Sequence, residues 1–144
     1  MRVFFSTAAV VLALDQFTKY AAIGWLKPHG SIPVIPGIFH LSFVENTGIA
    51  FGLFQGHPEV LSFVIAGSVL CLLIGSWFLR HQKWAERVAY GFIVGGAVGN
   101  LIDRIRFRHV IDFLDFRIWP VFNFADSFIT IGVCLFVYFS WRSR

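Results

Sequence analysis

Four stretches of the chain stay apolar long enough to cross a hydrocarbon layer: Val3–Leu26, Val60–Leu79, Trp84–Ile102 and Phe124–Trp141. A bilayer core of about 30 Å takes about 20 helical residues. In lipid, a helix is one of the few structures that satisfies all of its own backbone N–H and C=O groups. The expected fold is therefore membrane all-α, four transmembrane helices in a single domain over residues 1–144. Composition agrees: 14% of residues are charged and 57% hydrophobic, whereas a soluble domain carries about 25% charged residues. Arg2 before the apolar run Val3–Leu14 has the outline of a secretory signal peptide. No small-x-small cleavage site follows and apolar character resumes after Lys19, so the first run reads as a retained helix.

The net charge of +4 does not point to nucleic acid. The basic residues lie at chain ends and in loops, without a recurring aromatic–basic stripe, which is the ordinary pattern beside anionic lipid. Cys71 and Cys134 each fall inside an apolar run with no Cys-x-x-Cys spacing, and read as small buried hydrophobes.

Two connections hold most of the remaining residues. Lys27 to Glu59 contains Pro28, Pro33, Pro36 and Pro58, so it is not one helix. Within it Phe39, Leu41 and Phe43 alternate with His40, Ser42 and Val44, the period of a half-buried strand. The segment Val110–Phe116 in the second connection, Asp103 to Asn123, is also extended in character. Four crossings put both connections on one side of the membrane, where they can pair as a small sheet. Six Lys and Arg residues (Arg2, Arg80, Lys83, Arg87, Arg142, Arg144) fall on the side of the chain ends, against five on the other (Lys27, Arg104, Arg106, Arg108, Arg117). The short, basic Arg80–Arg87 loop tips the orientation toward cytoplasmic termini.

Gly91, Gly95, Gly96 and Gly99 in the third helix form a small-xxx-small face suited to close packing in lipid. Ionisable groups inside membrane helices are costly and so stand as functional candidates. Asp15 and Lys19 are four apart on one helical face, as an ion pair or as support for a neighbouring site. Asn100, Asp103 and Arg104 share a face at the outer end of the third helix, either as a closed polar network or as a grip on a peptide. Asp112 lies in the apolar extended segment, and Asp126 lies at the start of the fourth helix at the same boundary. Two carboxylates brought close share one proton, which supplies one base and one acid. Asn123 and Asp126 also have the spacing of a helix-capping pair, and Asp115 competes with Asp112, from which it would point to the opposite strand face. The spacing leaves these alternatives open. Other hydrolase chemistries lack support: there is no His-Glu-x-x-His and no Gly-x-Ser-x-Gly, and the five histidines are scattered in loops.

The ordered motifs Asp15-Gln16-Phe17-Thr18-Lys19, Glu45-Asn46-Thr47-Gly48-Ile49-Ala50-Phe51, Gly95 to Arg104, Val110-Ile111-Asp112-Phe113 and Phe122 to Ser127 resemble those of the bacterial lipoprotein (type II) signal peptidases. The resemblance covers essentially the whole chain. It implies four transmembrane helices with a small extracytoplasmic β-sheet and a loop lid, in the bacterial cytoplasmic (inner) membrane. It also implies a monomeric aspartic endopeptidase, free of metal and other cofactors. Its expected action is to cut prolipoproteins on the N-terminal side of their diacylglyceryl-modified cysteine. The family's catalytic aspartates fall on Asp112 and Asp126. Its substrate-binding positions fall on Asn46, Gly48, Asn100, Arg104 and Asn123, with Asp15, Lys19, Asp103 and Ala125 supporting the site. Ile49, where the family usually has alanine, and Gly52, where serine is common, depart from the pattern. Without the resemblance, a proton-coupled transporter or a non-catalytic helix scaffold would compete. A transporter would spread its ionisable groups over several depths, whereas most here gather at one boundary.

Overall fold

A computed structural model describes residues 1–48 and 58–142. Four helices, α1 (Arg2–Ala21), α2 (Pro58–Gly75), α3 (Trp84–Phe107) and α4 (Phe124–Arg142), are joined by three strands, β1 (Ser31–Ile35), β2 (Phe39–Asn46) and β3 (Val110–Asp115). A π-helical turn, Ala22–Leu26, extends α1, and a 3-10 segment, Ser76–His81, extends α2. Among the described residues, three helical stretches are long and apolar enough to cross a membrane: Glu59–Leu79, Trp84–Phe107 and Phe124–Arg142. The first apolar run forms α1 as expected, but Asp15, Gln16 and Lys19 interrupt it, and it is not among those three.

The glycines of α3 explain how the bundle closes. A Cβ at Gly91 would lie 2.8 Å from Thr7 Cβ, and one at Gly95 would lie 2.7 Å from the Ala8 carbonyl, both on α1. Gly96 faces the other way, where a Cβ would stand 2.5 Å from the Ala125 carbonyl of α4. Gly132 of α4 answers it, a Cβ there lying 2.7 Å from the Ala89 carbonyl of α3. The α3 helix is thus the central element, with backbones pressed onto it from two sides in the manner of small-residue membrane seams. It also runs to Phe107, past the expected end at Ile102, because no breaker intervenes before Arg108 takes up the left-handed cap (φ 66°). Cys71 and Cys134, expected to be buried, are exposed. A thiol inside an apolar run needs no protein cover where the surrounding solvent is itself apolar.

The sheet has the order β1-β2-β3, antiparallel throughout. Strands β2 and β3 realise the two extended segments expected from the sequence. β1 is not among the strands expected from the sequence. Pro33 is tolerated because β1 is the sheet edge, where a missing N–H breaks no ladder, and Gly37 (φ 75°) lets the chain turn into β2. The sheet is tied to the bundle by a cluster of Ala22, Leu26, Ile111 and Phe113. Beyond β3, Phe116 stacks on Phe122 (5.9 Å between ring centroids), Phe113 meets Phe124 (6.0 Å), and Phe124 meets Phe128 on α4 (6.5 Å).

Candidate active site

The sheet brings β3 against the C-terminal end of α3 and the first turn of α4, where buried polar side chains collect. Asp15, Lys19, Asn100, Asp103, Arg104, Asp112 and Asn123 are all buried. Lys19 Nζ sits between three acceptors: Asp15 Oδ2 at 2.9 Å, Asp103 Oδ2 at 2.8 Å and Asn100 Oδ1 at 2.8 Å. Two acids around one cation make a triad that belongs together, since removing one partner would strand a buried charge.

The two acids also reach outward. Asp15 Oδ1 accepts the backbone N–H of Ala125 (3.0 Å), and Asp103 Oδ2 accepts that of Ile111 (3.2 Å). Ala125 precedes Asp126 and Ile111 precedes Asp112. One buried lysine therefore holds two carboxylates, each of which grips the chain one residue before one of the candidate aspartates. Gln16 completes this layer. Its amide donates to Asp15 Oδ2 (3.2 Å), Asp103 Oδ1 (3.1 Å) and the Gly99 carbonyl (3.3 Å). The sequence signalled Gln16 only as one more polar residue in an apolar helix, and it was not among the expected site residues.

Above this layer, two asparagines link the candidate carboxylates. Asn123 Nδ2 donates to Asp112 Oδ1 (2.7 Å) and to Asn100 Oδ1 (3.1 Å), and Asn100 Nδ2 donates to Asp126 Oδ1 (2.8 Å). Asn46 Nδ2 takes the other Asp112 oxygen (2.9 Å). Asn123 and Asp126 also cap α4 reciprocally. The Asp126 N–H donates to Asn123 Oδ1 (2.9 Å), and the Asn123 N–H to Asp126 Oδ2 (3.3 Å). The capping and site readings of Asp126 are thus the same geometry, with one oxygen on the cap and the other on Asn100. Arg104 donates to the carbonyl of buried Gly48 (3.0 Å), and the Gly48 N–H turns back to Asn46 Oδ1 (3.1 Å). All eleven expected site residues converge here. Ile49 and Gly52, and the central part of the expected lid, lie outside the described residues.

Electrostatics separate the two strand aspartates. Burial, and next the charge of Asp126, push the Asp112 carboxyl up to about 7, against the opposing pull of the Asn46 and Asn123 amides and Lys19. Asp115 lies elsewhere, held by the Ser42 hydroxyl (2.8 Å) and by the Arg117 amide and guanidinium (both 2.9 Å). Burial raises Asp115 too, but these partners outweigh it and keep its carboxyl below the usual range. Of these two strand aspartates, Asp112 is the one poised to exchange a proton near neutrality.

Fold and site together define a helical membrane protein that gathers acidic and amide side chains at one end of its bundle, beneath a small sheet. Comparisons with known proteins narrow this class. The family model for signal peptidase (SPase) II matches residues 7–142. The lipoprotein signal peptidase of Halothermothrix orenii is 44% identical over 135 residues, covering 94% of this chain and 92% of that one. That of Desulforapulum autotrophicum is 48% identical over 141 residues, covering 91% and 86%. A solved bacterial membrane enzyme, determined by the in meso method, superposes with a TM-score of 0.81 at 31% identity, covering 96% of this chain and 87% of that one. The chain belongs to the signal peptidase II family.

Proposed function

We propose that this chain is an aspartic endopeptidase of the bacterial cytoplasmic membrane, cutting prolipoproteins on the N-terminal side of their diacylglyceryl-cysteine. Asp112 and Asp126 are its catalytic pair. The observation that carries this reading is the amide bridge from Asp112 through Asn123 and Asn100 to Asp126. It holds Asp126 close enough for its charge to raise the cost of ionising Asp112.

Such a pair shares one proton over a range of pH. The ionised carboxylate takes a proton from a water molecule as its oxygen attacks the scissile carbonyl carbon. The protonated carboxyl donates to the carbonyl oxygen, giving a tetrahedral diol. The C–N bond then breaks as the nitrogen takes up a proton, releasing the signal peptide as a carboxylic acid and the lipidated cysteine with a free amine. Asn46, Gly48, Asn100, Arg104 and Asn123 bind the substrate backbone, while Asp15, Lys19, Asp103 and Ala125 hold the two aspartates in place. The peptide lies beneath the sheet and the 27–59 connection, which acts as a lid over the site. The acyl chains rest against the helices in lipid.

The test is cleavage of a diacylglyceryl-cysteine precursor peptide by the purified chain in lipid. Asp112→Asn and Asp126→Asn should each lower kcat by about 10²–10⁴-fold or more, and Asp115→Asn should keep most of the activity. A chelator should change nothing. Loss of activity on removing metal, or full activity in either of the first two variants, overturns the assignment.

A further inference from the structure

The sheet and the residues flanking it leave several large apolar side chains open at the end away from Asp112 and Asp126. Val34, Ile35 and Ile38 at the β1–β2 turn and Phe116, Ile118 and Trp119 just beyond β3 are all exposed, Ile118 at 95% and Trp119 at 61%. The two groups are neighbours, because His40 pairs with Asp115 and the Phe39 and Phe116 rings are 4.8 Å apart. Asn46, at the site end of β2, is about 20 Å away at the rise of a strand.

A cluster of large apolar side chains this open marks a surface that something covers. Its continuity names the occupant. The ring contacts Phe116–Phe122 and Phe113–Phe124–Phe128, linked by the Phe113 N–H donating to the Phe122 carbonyl (3.0 Å), join this end of the sheet to the flank of α4, a helix long and apolar enough to span a membrane. Tryptophan and other aromatic rings at the end of a spanning helix have the chemistry of the lipid headgroup level. Beside them Arg117 is half exposed while bonded to Asp115, a cation suited to anionic lipid phosphate at the rim of the patch. We propose that this end of the sheet is seated in the headgroup–acyl boundary of the leaflet it faces. It would give the chain a second, non-spanning attachment that keeps the sheet lying along the membrane. The inference stands independently of the peptidase mechanism.

Depth measurement on the whole chain in vesicles of phosphatidylethanolamine and phosphatidylglycerol tests it. With Cys71 and Cys134 replaced by serine, single cysteines at Ile38 or Ile118 carry a spin label. Val133 on α4 serves as the lipid reference and Gln82 as the aqueous one. Labels at 38 and 118 should collide with oxygen in preference to a water-soluble nickel chelate, several-fold more so than at 82. Collision ratios equal to those at 82 overturn the proposal. So does shielding from both reagents with short label-to-label distances between chains, which would assign the patch to a second copy. A readout without new cysteines is quenching of tryptophan fluorescence by lipids brominated near the carbonyl. Trp119→Phe should remove part of that quenching, and an unchanged signal counts against the seat.

Discussion

Asp112 and Asp115 stand three residues apart on one strand and differ in what surrounds them, so they should respond to pH with opposite signs. Asp112 has its carboxyl raised to about 7 by burial and by Asp126. A folded-state value above the unfolded one favours the fold fully only at low pH, and that advantage is lost as pH rises through 7. The cost at high pH is on the order of 4 kcal/mol. Asp112→Asn should therefore denature at a higher temperature than the unsubstituted chain at pH 8, with the gap shrinking as pH falls below 7 and closing only near pH 4, even as it stops cleavage. Asp115 is held low, so its contribution is present at neutral pH and lost as pH falls. Asp115→Asn should be the less stable protein at pH 7, with the difference shrinking as pH falls below about 4. Melting curves of both variants at several pH values check the pair of signs, and parallel curves would count against both environments. The acid-base pair gives activity a related limit: kcat/KM should fall as pH rises past about 7, where the second proton leaves. The spacing of these aspartates was legible in the sequence, but their difference was not. It depends on Ser42 and Arg117 being near one of them and Asp126 near the other, which only the strand pairing decides.

At the scale of elements, α3 organises the molecule through what it lacks. Gly95 brings α1 so near that a Cβ would meet the Ala8 carbonyl and Val11 together, and this closeness lets Lys19 on α1 reach Asp103 and Asn100 on α3. Gly95→Val should push the helices apart, cost about 1–3 kcal/mol by overpacking, and reduce cleavage although residue 95 touches neither aspartate. Gly67→Ala on α2, where a Cβ meets nothing within 4 Å, should be neutral by both measures. Lys19→Met removes the cation from between two buried acids and should cost about 3–5 kcal/mol. Equal melting temperatures for Gly95→Val and Gly67→Ala would show that the seam does not set the packing. The glycine face could be read from its spacing, as could the strand character of β2 and β3. β1 could not, because local sequence argues against a strand at Pro33 and only its edge position permits one. The gripping of Ile111 and Ala125 by Asp103 and Asp15 was equally hidden. It uses backbone donors, which every sequence carries everywhere.

For the molecule as a whole, α1 is the helix that stands apart. Its composition falls short of the other helices because of Asp15, Gln16 and Lys19, yet Asp15 and Lys19 are buried against α3 and α4. The residues α1 turns outward include Phe5, Val10, Leu14 and Phe17, a surface fit for lipid. The polar groups that weaken α1 as a lone span therefore face the bundle, and we propose that α1 crosses as a fourth span stabilised by docking rather than by hydropathy. Such a crossing would place the chain ends on the cytoplasmic side and the sheet on the other. In intact spheroplasts, with Cys71 and Cys134 replaced by serine, a cysteine at Ser31, exposed at the end of β1 away from the apolar patch, should react with a membrane-impermeant maleimide. One at Gln82 and one placed ahead of Met1 should react only after lysis. If α1 instead lay along the surface, the residue ahead of Met1 would share the side of residue 31 and react in intact cells. With Gly95→Val added, a fraction of chains should acquire that reactivity, because weakened docking leaves Asp15 and Lys19 to face lipid.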